Sequence, residues 1–205
     1  MMHPKSHSLP LLALALLGLL AAPALAESPA SRVISQTVDE VIAVLDDESL
    51  DSDARRAKIE KIALERFDFA TMSRLVLARN WKRFTPEQQE SFVREFKDLL
   101  ARSYGDRIDR YEQQRVELVG ERTEKRGDVT VQTKIRGGEL EGFQVDYRLR
   151  QRGDAWYIID VRIEGVSLVS NYRDQFKEVL ARGGPAELLG RMRQKNVVPA
   201  DRGEG

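Results

Sequence analysis

The chain has 205 residues, with 33 Lys plus Arg against 33 Asp plus Glu, two His and no Cys. A charge this balanced excludes a general polyanion binder, and the lack of cysteine excludes disulfides, thiol nucleophiles and Cys-ligated metals. Stability must therefore come from an ordinary apolar core, which a chain of this size is long enough to bury.

The first element in chain order is the apolar run Leu9 to Leu20, followed by Pro23 and Ala24-Leu25-Ala26. The run has the length of a signal-peptide core rather than of a membrane span, and Ala-Leu-Ala fits the small-residue cleavage rule. Residues 1–26 are expected to be a secretory signal peptide cleaved after Ala26. Cleavage would remove Lys5, His3 and His7 and leave a net charge of −1 on residues 27–205. A mature chain without His or Cys has no zinc site built from those ligands, no Ser-His-Asp triad and no haem on its usual ligands. Lipoprotein acylation also needs a cysteine, so the exported protein is expected to be free in its compartment.

From Ser31 to Leu45, Val33, Ile34, Val38, Val41, Ile42 and Leu45 recur at helical spacing and predict an amphipathic helix. The acidic turn Asp46 to Asp53 ends it, and Ser52 or Asp53 is expected to cap a second helix that runs through Ile59, Ile62 and Ala63 to Arg66. A short third helix is expected over Ala70 to Arg79. Thr85-Pro86-Glu87-Gln88 is a capping box with proline in the first helical position, and it opens a helix carrying Phe92, Phe96, Leu99, Leu100 and Tyr104.

After about Tyr111 the apolar period changes from helical to alternating. Four strands are predicted: Arg115 to Gly120, Asp128 to Arg136, Phe143 to Gln151 and Trp156 to Glu164. Gly137-Gly138 and Gly153-Asp154 punctuate them as turns, which favours an antiparallel meander. The third strand sets Phe143, Val145, Tyr147 and Leu149 against Gln144, Asp146, Arg148 and Arg150, one face apolar and one wet. In the fourth, strict alternation sets Tyr157, Ile159, Val161 and Ile163 against Trp156, Ile158, Asp160 and Arg162. A helix from Leu168 to Ala181, a Gly183-Gly184-Pro185 break and a short helix to Lys195 complete the pattern. The expected fold is α+β: helices over a strongly twisted four-stranded antiparallel sheet, in one domain over residues 27–198, with a polar tail at 199–205. Helices laid across a curved sheet make either a filled core or a pocket, and periodicity does not distinguish the two.

Gly165-Val166-Ser167-Leu168, preceded by Trp156-Tyr157-Ile158-Ile159-Asp160-Val161 and followed by Asn171-Tyr172-Arg173-Asp174-Gln175-Phe176, resembles the signature of the MlaC family of periplasmic phospholipid-binding, or toluene-tolerance, proteins. Phe67-Asp68-Phe69, Val76-Leu77, Trp81, Thr85-Pro86-Glu87-Gln88 and the run Phe92 to Tyr104 are similar to the same family's helical half. One departure is Ala78, where the family often has glycine. The resemblance implies a cone distantly like nuclear-transport-factor domains, with an apolar cavity that takes the acyl tails of a phospholipid. It also implies a carrier between an outer-membrane lipoprotein complex and an inner-membrane ABC transporter bearing a ring of lipid-binding subunits, maintaining outer-membrane lipid asymmetry. On that reading the protein is a periplasmic monomer whose cargo is phospholipid, with no cofactor, metal or nucleic acid.

A carrier must enclose both tails, because exposing two ordinary acyl chains to water costs on the order of 20 kcal/mol at roughly 0.8 kcal/mol per CH₂. The candidate walls are Phe92, Phe96, Leu100 and Tyr104 on the long helix, Val145 and Tyr147 on the third strand, Val161 and Ile163 on the fourth, and Val166, Val169, Tyr172 and Phe176 beyond it. The same residues could simply pack on one another as core. Between Phe69 and Pro86 there is no acid, while Arg74, Arg79, Lys82 and Arg83 supply positive charge beside Trp81 and Phe84. With Arg173, these are candidates for a headgroup phosphate or for partner docking; a solvated helix end and an ordinary ion pair are the plain alternatives. The acidic run Asp46, Asp47, Glu48, Asp51, Asp53 lacks the central glycine and ligand spacing of a calcium loop and reads as a polar turn. Two other functions stay open: an exported interaction module with a filled core, and an enzyme pairing Asp146 or Asp160 with Tyr147 or Tyr157, which strand alternation disfavours.

Overall fold

The computed structural model describes residues 27–105 and 113–194; the expected signal peptide, the helix-to-strand boundary at Tyr111 and the polar tail lie outside them. Five helices, α1 (Pro29–Leu45), α2 (Ser52–Arg66), α3 (Phe69–Leu77), α4 (Pro86–Gly105) and α5 (Leu168–Arg193), surround a sheet of β1 (Arg115–Thr123), β2 (Val129–Arg136), β3 (Gln144–Arg152), β4 (Ala155–Ile163) and β5 (Val166–Ser167). The strands pair antiparallel in chain order. The α+β class is as expected, with five strands in place of four. The fifth is a two-residue return made by the Glu164-Gly165 turn, both residues with positive φ, and no periodicity exists in two residues.

Side-chain caps define most helix starts. Ser28 Oγ accepts from Ser31 N at 3.0 Å to start α1. For α2 the cap is Asp51, whose Oδ1 accepts from Ala54 N at 2.8 Å, rather than the expected Ser52 or Asp53. Thr85 and Gln88 form the expected box, Thr85 N donating to Gln88 Oε1 at 3.0 Å and Gln88 N to Thr85 Oγ1 at 3.3 Å. Asp68 caps α3 through Thr71 N at 2.8 Å, and its own N–H donates to Ile158 O at 2.9 Å, which ties the α2–α3 corner to the edge of β4. That helix stops two residues early. Ala78 turns to φ 48°, ψ −121°, a region that side-chain-bearing residues avoid and glycine occupies freely. A 3₁₀ turn, Ala78–Arg83, then carries the chain to α4. In α5 the expected break is a kink at Gly184, φ 71°, ψ −167°, before Pro185, and the last turns bury Leu188, Leu189 and Met192.

The sheet departs from simple alternation at two bulges. Val119 is extra in β1, between the pairs Leu118 with Thr133 and Gly120 with Gln132. In β4, Asp160 pairs with Arg148 and Ile158 with Leu149, so Ile159 is extra. Partners across a ladder share a face, which puts Trp156 and Ile158 on the same face as Val161 and Ile163 and moves Tyr157 to the other. This corrects the alternation expected for that strand. The helix-facing inner side thus presents Val129, Val131, Tyr147, Leu149, Ile158 and Val161, and the outer side presents Arg148, Arg150 and Asp160.

Candidate functional site

The apolar interior has two regions. In the first, α4 and α5 bring Phe92, Phe96, Tyr172 and Phe176 together beside Phe84, all buried, with ring centroids 5.4 to 6.2 Å apart in mostly edge-to-face contacts. Tyr172 closes its polar end by sharing a hydrogen bond with Ser103 Oγ at 3.2 Å. These four wall candidates pack on one another. Val169 and Leu100 join the same core.

The second region is the inner face of the sheet. Where α1 crosses it, Ala30 and Ile34 are buried with Val129, Val131, Leu149 and Ile158. Towards the other end of the strands the seal is incomplete. Leu118, Thr133, Val145, Ile163 and Val166 are register neighbours across all five strands. Of these, Leu118, Val145 and Ile163 are only half-buried and Val166 is 55% exposed. Tyr147, one step along β3, is half-buried too, as are Tyr104 of α4 and Val38 of α1. The α1–α2 hairpin behaves likewise: Val41, Ile42, Leu45, Ile59 and Ile62 are half-buried, and no residue of α2 is buried. Leu118 and Val38 were absent from the expected walls, although β1's Val116-x-Leu118 alternation and α1's apolar stripe both carry a signal for them.

A groove lies elsewhere, between the start of α1, the end of α2 and the β3–β4 turn, lined by Arg32, Val33, Arg66, Trp156 and Tyr157 among others. At about 220 Å³ it is below the roughly 300 to 1,000 Å³ usual for a ligand pocket.

The basic residues divide. Arg173 donates to Leu75 O from Nε at 3.0 Å and from Nη2 at 2.7 Å, closing the end of α3; among the described residues it has this structural clamp in place of the ion pair considered from sequence. Arg74 lies 5.6 Å over the Trp81 ring. Arg79, Lys82 and Arg83 are exposed on the 3₁₀ turn, Arg83 bonded to Asn80 Oδ1 at 3.0 Å, and among the described residues none of these four cations has an acidic partner.

The carboxylates are engaged in structure. Asp160 accepts from Ser167 Oγ at 2.6 Å and Val169 N at 3.1 Å, anchoring the start of α5. The bulge puts Tyr157 on the Asp160 face after all, but those oxygens are already held. Asp146 accepts from Gln144 Nε2 at 2.9 Å. In the acidic turn Asp47 accepts from Ser49 N at 3.0 Å, and its pKa is lowered by the Ser49 side chain and backbone. Asp128, fully buried, receives Arg148 and Arg150 at 2.6 and 2.7 Å. Burial alone would raise its pKa, but the two guanidiniums outweigh that and hold it below the usual carboxylate range. Among the described residues, no cluster of three or more acids is placed to hold a metal, and no helix is long and apolar enough to cross a membrane.

Comparison with known proteins agrees with this architecture. A solved phospholipid-binding protein from Ralstonia solanacearum, in complex with a phospholipid, superimposes with a TM-score of 0.74 at 26% identity, covering 82% of this chain and 97% of that one. The toluene tolerance protein ttg2D of Pseudomonas putida is 27% identical over 103 residues, which is 50% of this chain and 48% of that protein, so the match spans about half its length. The profile of the MlaC protein family matches residues 35–194, helices and sheet alike, and the chain belongs to that family.

Proposed function

We propose that the protein is a periplasmic phospholipid carrier that takes a lipid from one membrane-bound complex and delivers it to another. The observation that carries this is the apolar row Leu118, Val145, Ile163 and Val166, left half-buried to exposed across the sheet beside a fully packed helical core. A soluble fold normally closes such a row against a helix. Here α1 closes only part of it, and acyl tails supply the missing apolar partner at roughly 0.8 kcal/mol per buried CH₂. Kinship with a Ralstonia protein solved with a phospholipid supports the same cargo.

Because a bilayer solvates tails as well as the protein does, loading and release are nearly balanced, and docking partners set the direction. The partners fitting this role are an outer-membrane lipoprotein complex and an inner-membrane ABC transporter with ring-forming lipid-binding subunits. The docking element we assign is the exposed 3₁₀ turn with Arg79, Lys82 and Arg83, whose charges have no acid within the described fold. The signal-like residues 1–26 supply export.

The test is mass spectrometry of protein purified from the periplasm without detergent, natively and after solvent extraction, followed by transfer assays between liposomes and partner complexes. Stoichiometric phospholipid is expected. Protein that is empty and also takes nothing from liposomes would sink the carrier reading. Changing Arg79, Lys82 and Arg83 together to Glu is expected to slow partner-dependent transfer while leaving the lipid content and melting temperature unchanged; an unchanged transfer rate would reject that docking surface.

A further inference from the structure

The α1–α2 hairpin and the α3–α4–α5 half both lean on the sheet, but among the described residues neither helix of the hairpin packs extensively on α3, α4 or α5. A seam therefore runs between α2 and α4. An ion pair spans it, with Lys97 Nζ of α4 lying 3.1 Å from Glu60 Oε1 of α2. A longer contact of 3.9 Å joins Lys97 to its own neighbour Asp98.

Lys97 is an odd residue for its place. Helical spacing sets Val93, Leu100 and Tyr104 on the same face of α4, Leu100 buried and the other two half-buried. On α2, Leu64 follows Glu60 by one turn and is 48% exposed, and Ile59 and Ile62 are half-buried. The seam thus leaves apolar area uncovered on both of its sides and holds a cation in its midst. The Lys97 and Glu60 side chains are 29% and 50% exposed, and ion pairs this open add little to stability. An apolar residue at position 97 would continue the stripe without needing a partner.

Glu60 meets the charge of Lys97 but leaves the stripe uncovered. A phospholipid meets both, because phosphate oxygens accept from the ammonium's three donors and the attached tails cover the apolar area. Tyr104 lies seven residues beyond Lys97, about 10 Å along the helix axis and within the length of an acyl chain. It is among the half-buried residues packed against the core, as are Leu118, Val145 and Ile163 of the open sheet face.

We propose that this seam takes the phosphate of the bound lipid, with Lys97 as its ligand and Glu60 as the carboxylate that the phosphate displaces. This rests on the phospholipid-carrier reading and adds a headgroup site to it. In the empty protein Glu60 keeps a partly buried cation paired; in the loaded protein phosphate takes its place, so the lysine is never left alone. Phosphate is common to all phosphoglycerolipids, so the contact selects them against uncharged lipids with the same tails and does not sort one headgroup from another.

The experiment compares wild type, Lys97→Gln and Glu60→Gln, all delipidated, for uptake from vesicles carrying phosphatidylglycerol or a diacylglycerol of the same chains. Both variants remove the same ion pair, so a merely structural pair would move both in one direction. Lys97→Gln is expected to bind phosphatidylglycerol about tenfold more weakly, as for the loss of a charge-assisted contact. Glu60→Gln, freed of the competing carboxylate, is expected to bind it about two- to fivefold more tightly. Diacylglycerol should bind all three alike. Shifts of the same sign in both variants, no shift in either, or an equal loss of diacylglycerol by Lys97→Gln would overturn the proposal. Inorganic phosphate identifies the source of the anion: it is expected to leave the melting temperature of delipidated wild type unchanged. A rise that vanishes in Lys97→Gln, without any effect on lipid, would assign the site to free phosphate instead. Failure of wild type to take up either lipid would refute the carrier reading itself, and this site with it.

Discussion

The α4–α5 half and the open end of the sheet are built from the same kinds of residue, yet one is sealed and the other is not. Phe92, Phe96, Tyr172 and Phe176 have each other, and no ring is left facing water. Leu118, Val145 and Ile163 have a sheet behind them and only part of a helix in front. The difference lies in the partner each apolar face finds. A helix pair closes on itself, whereas a twisted sheet spans more area than one crossing helix covers. A lipid carrier needs both: a rigid part that remains folded when empty and a part whose apolar surface exceeds its cover.

The strongest way to break this comparison is to damage the sealed half. Phe96 touches Phe92, Tyr172 and Phe176 at centroid distances of 5.7, 5.4 and 6.2 Å. Phe96→Ala is expected to cost about 3 to 5 kcal/mol, the range for emptying a packed aromatic site, with equal drops in the melting temperatures of the empty and loaded protein. A drop seen only with lipid bound would mean that this cluster is cavity wall after all.

Next in size is the outer face of the sheet, where the two strand arginines hold a fully buried carboxylate. Asp128→Asn keeps the shape but leaves Arg148 and Arg150 short of a charge partner. These side chains are about a third exposed, so the cost is expected to be about 2 kcal/mol, below the roughly 3 to 5 kcal/mol of a fully buried pair. The carboxyl's pKa is lower folded than unfolded. Its contribution is therefore complete above the unfolded value of about 3.9 and is lost as pH falls from there through the folded value. Denaturation curves between neutral pH and pH 2 should show wild type losing this increment in the acid range and Asp128→Asn losing less. Parallel curves would show that the pair contributes nothing to stability.

These two predictions also mark what was legible in the sequence. The box at Thr85 and Gln88 and the turns at Gly137 and Gly153 were readable because each is a local rule: a side chain reaches its own helix end, or a backbone needs positive φ. The bulge at Ile159 was not, since Ile158 and Ile159 are both apolar and alternation cannot tell which is extra. Nor was the clamp of Arg173 on Leu75 O, or the convergence of Arg148 and Arg150 on Asp128, because each joins residues far apart in the chain. Wall and core were indistinguishable for the same reason: Phe96 and Val145 both present an apolar face, and only the tertiary partner decides its burial.

Ala78 stands between α3 and the basic turn. At φ 48°, ψ −121° it carries backbone strain of about 1 to 3 kcal/mol, partly offset in any exchange for glycine by the roughly 0.5 to 1 kcal/mol that glycine's freer unfolded chain costs. Ala78→Gly is expected to stabilise the protein by about 1 kcal/mol, read as a higher urea midpoint at unchanged slope. A lower midpoint would show that this joint relaxes to a conformation other than the one seen.

The smallest effect on stability should come from the open end of the sheet, and there the comparison is sharpened most. Ile163 is half-buried opposite Val145 and Val166, so Ile163→Ala removes methyl groups that were only partly out of water. The loss in the empty protein is expected to be about 1 kcal/mol, below the roughly 2 to 5 kcal/mol of a sealed aliphatic site. A bound lipid raises apparent stability by an amount set by its affinity, and if tails cover Ile163 that increment should shrink in the variant. The decisive quantity is thus the gap between the empty and loaded melting temperatures, narrowed by Ile163→Ala and left alone by Phe96→Ala. Should Ile163→Ala instead destabilise the empty protein as much as Phe96→Ala does while leaving the gap intact, the sheet's open end would be ordinary core and the lipid would have to lie elsewhere.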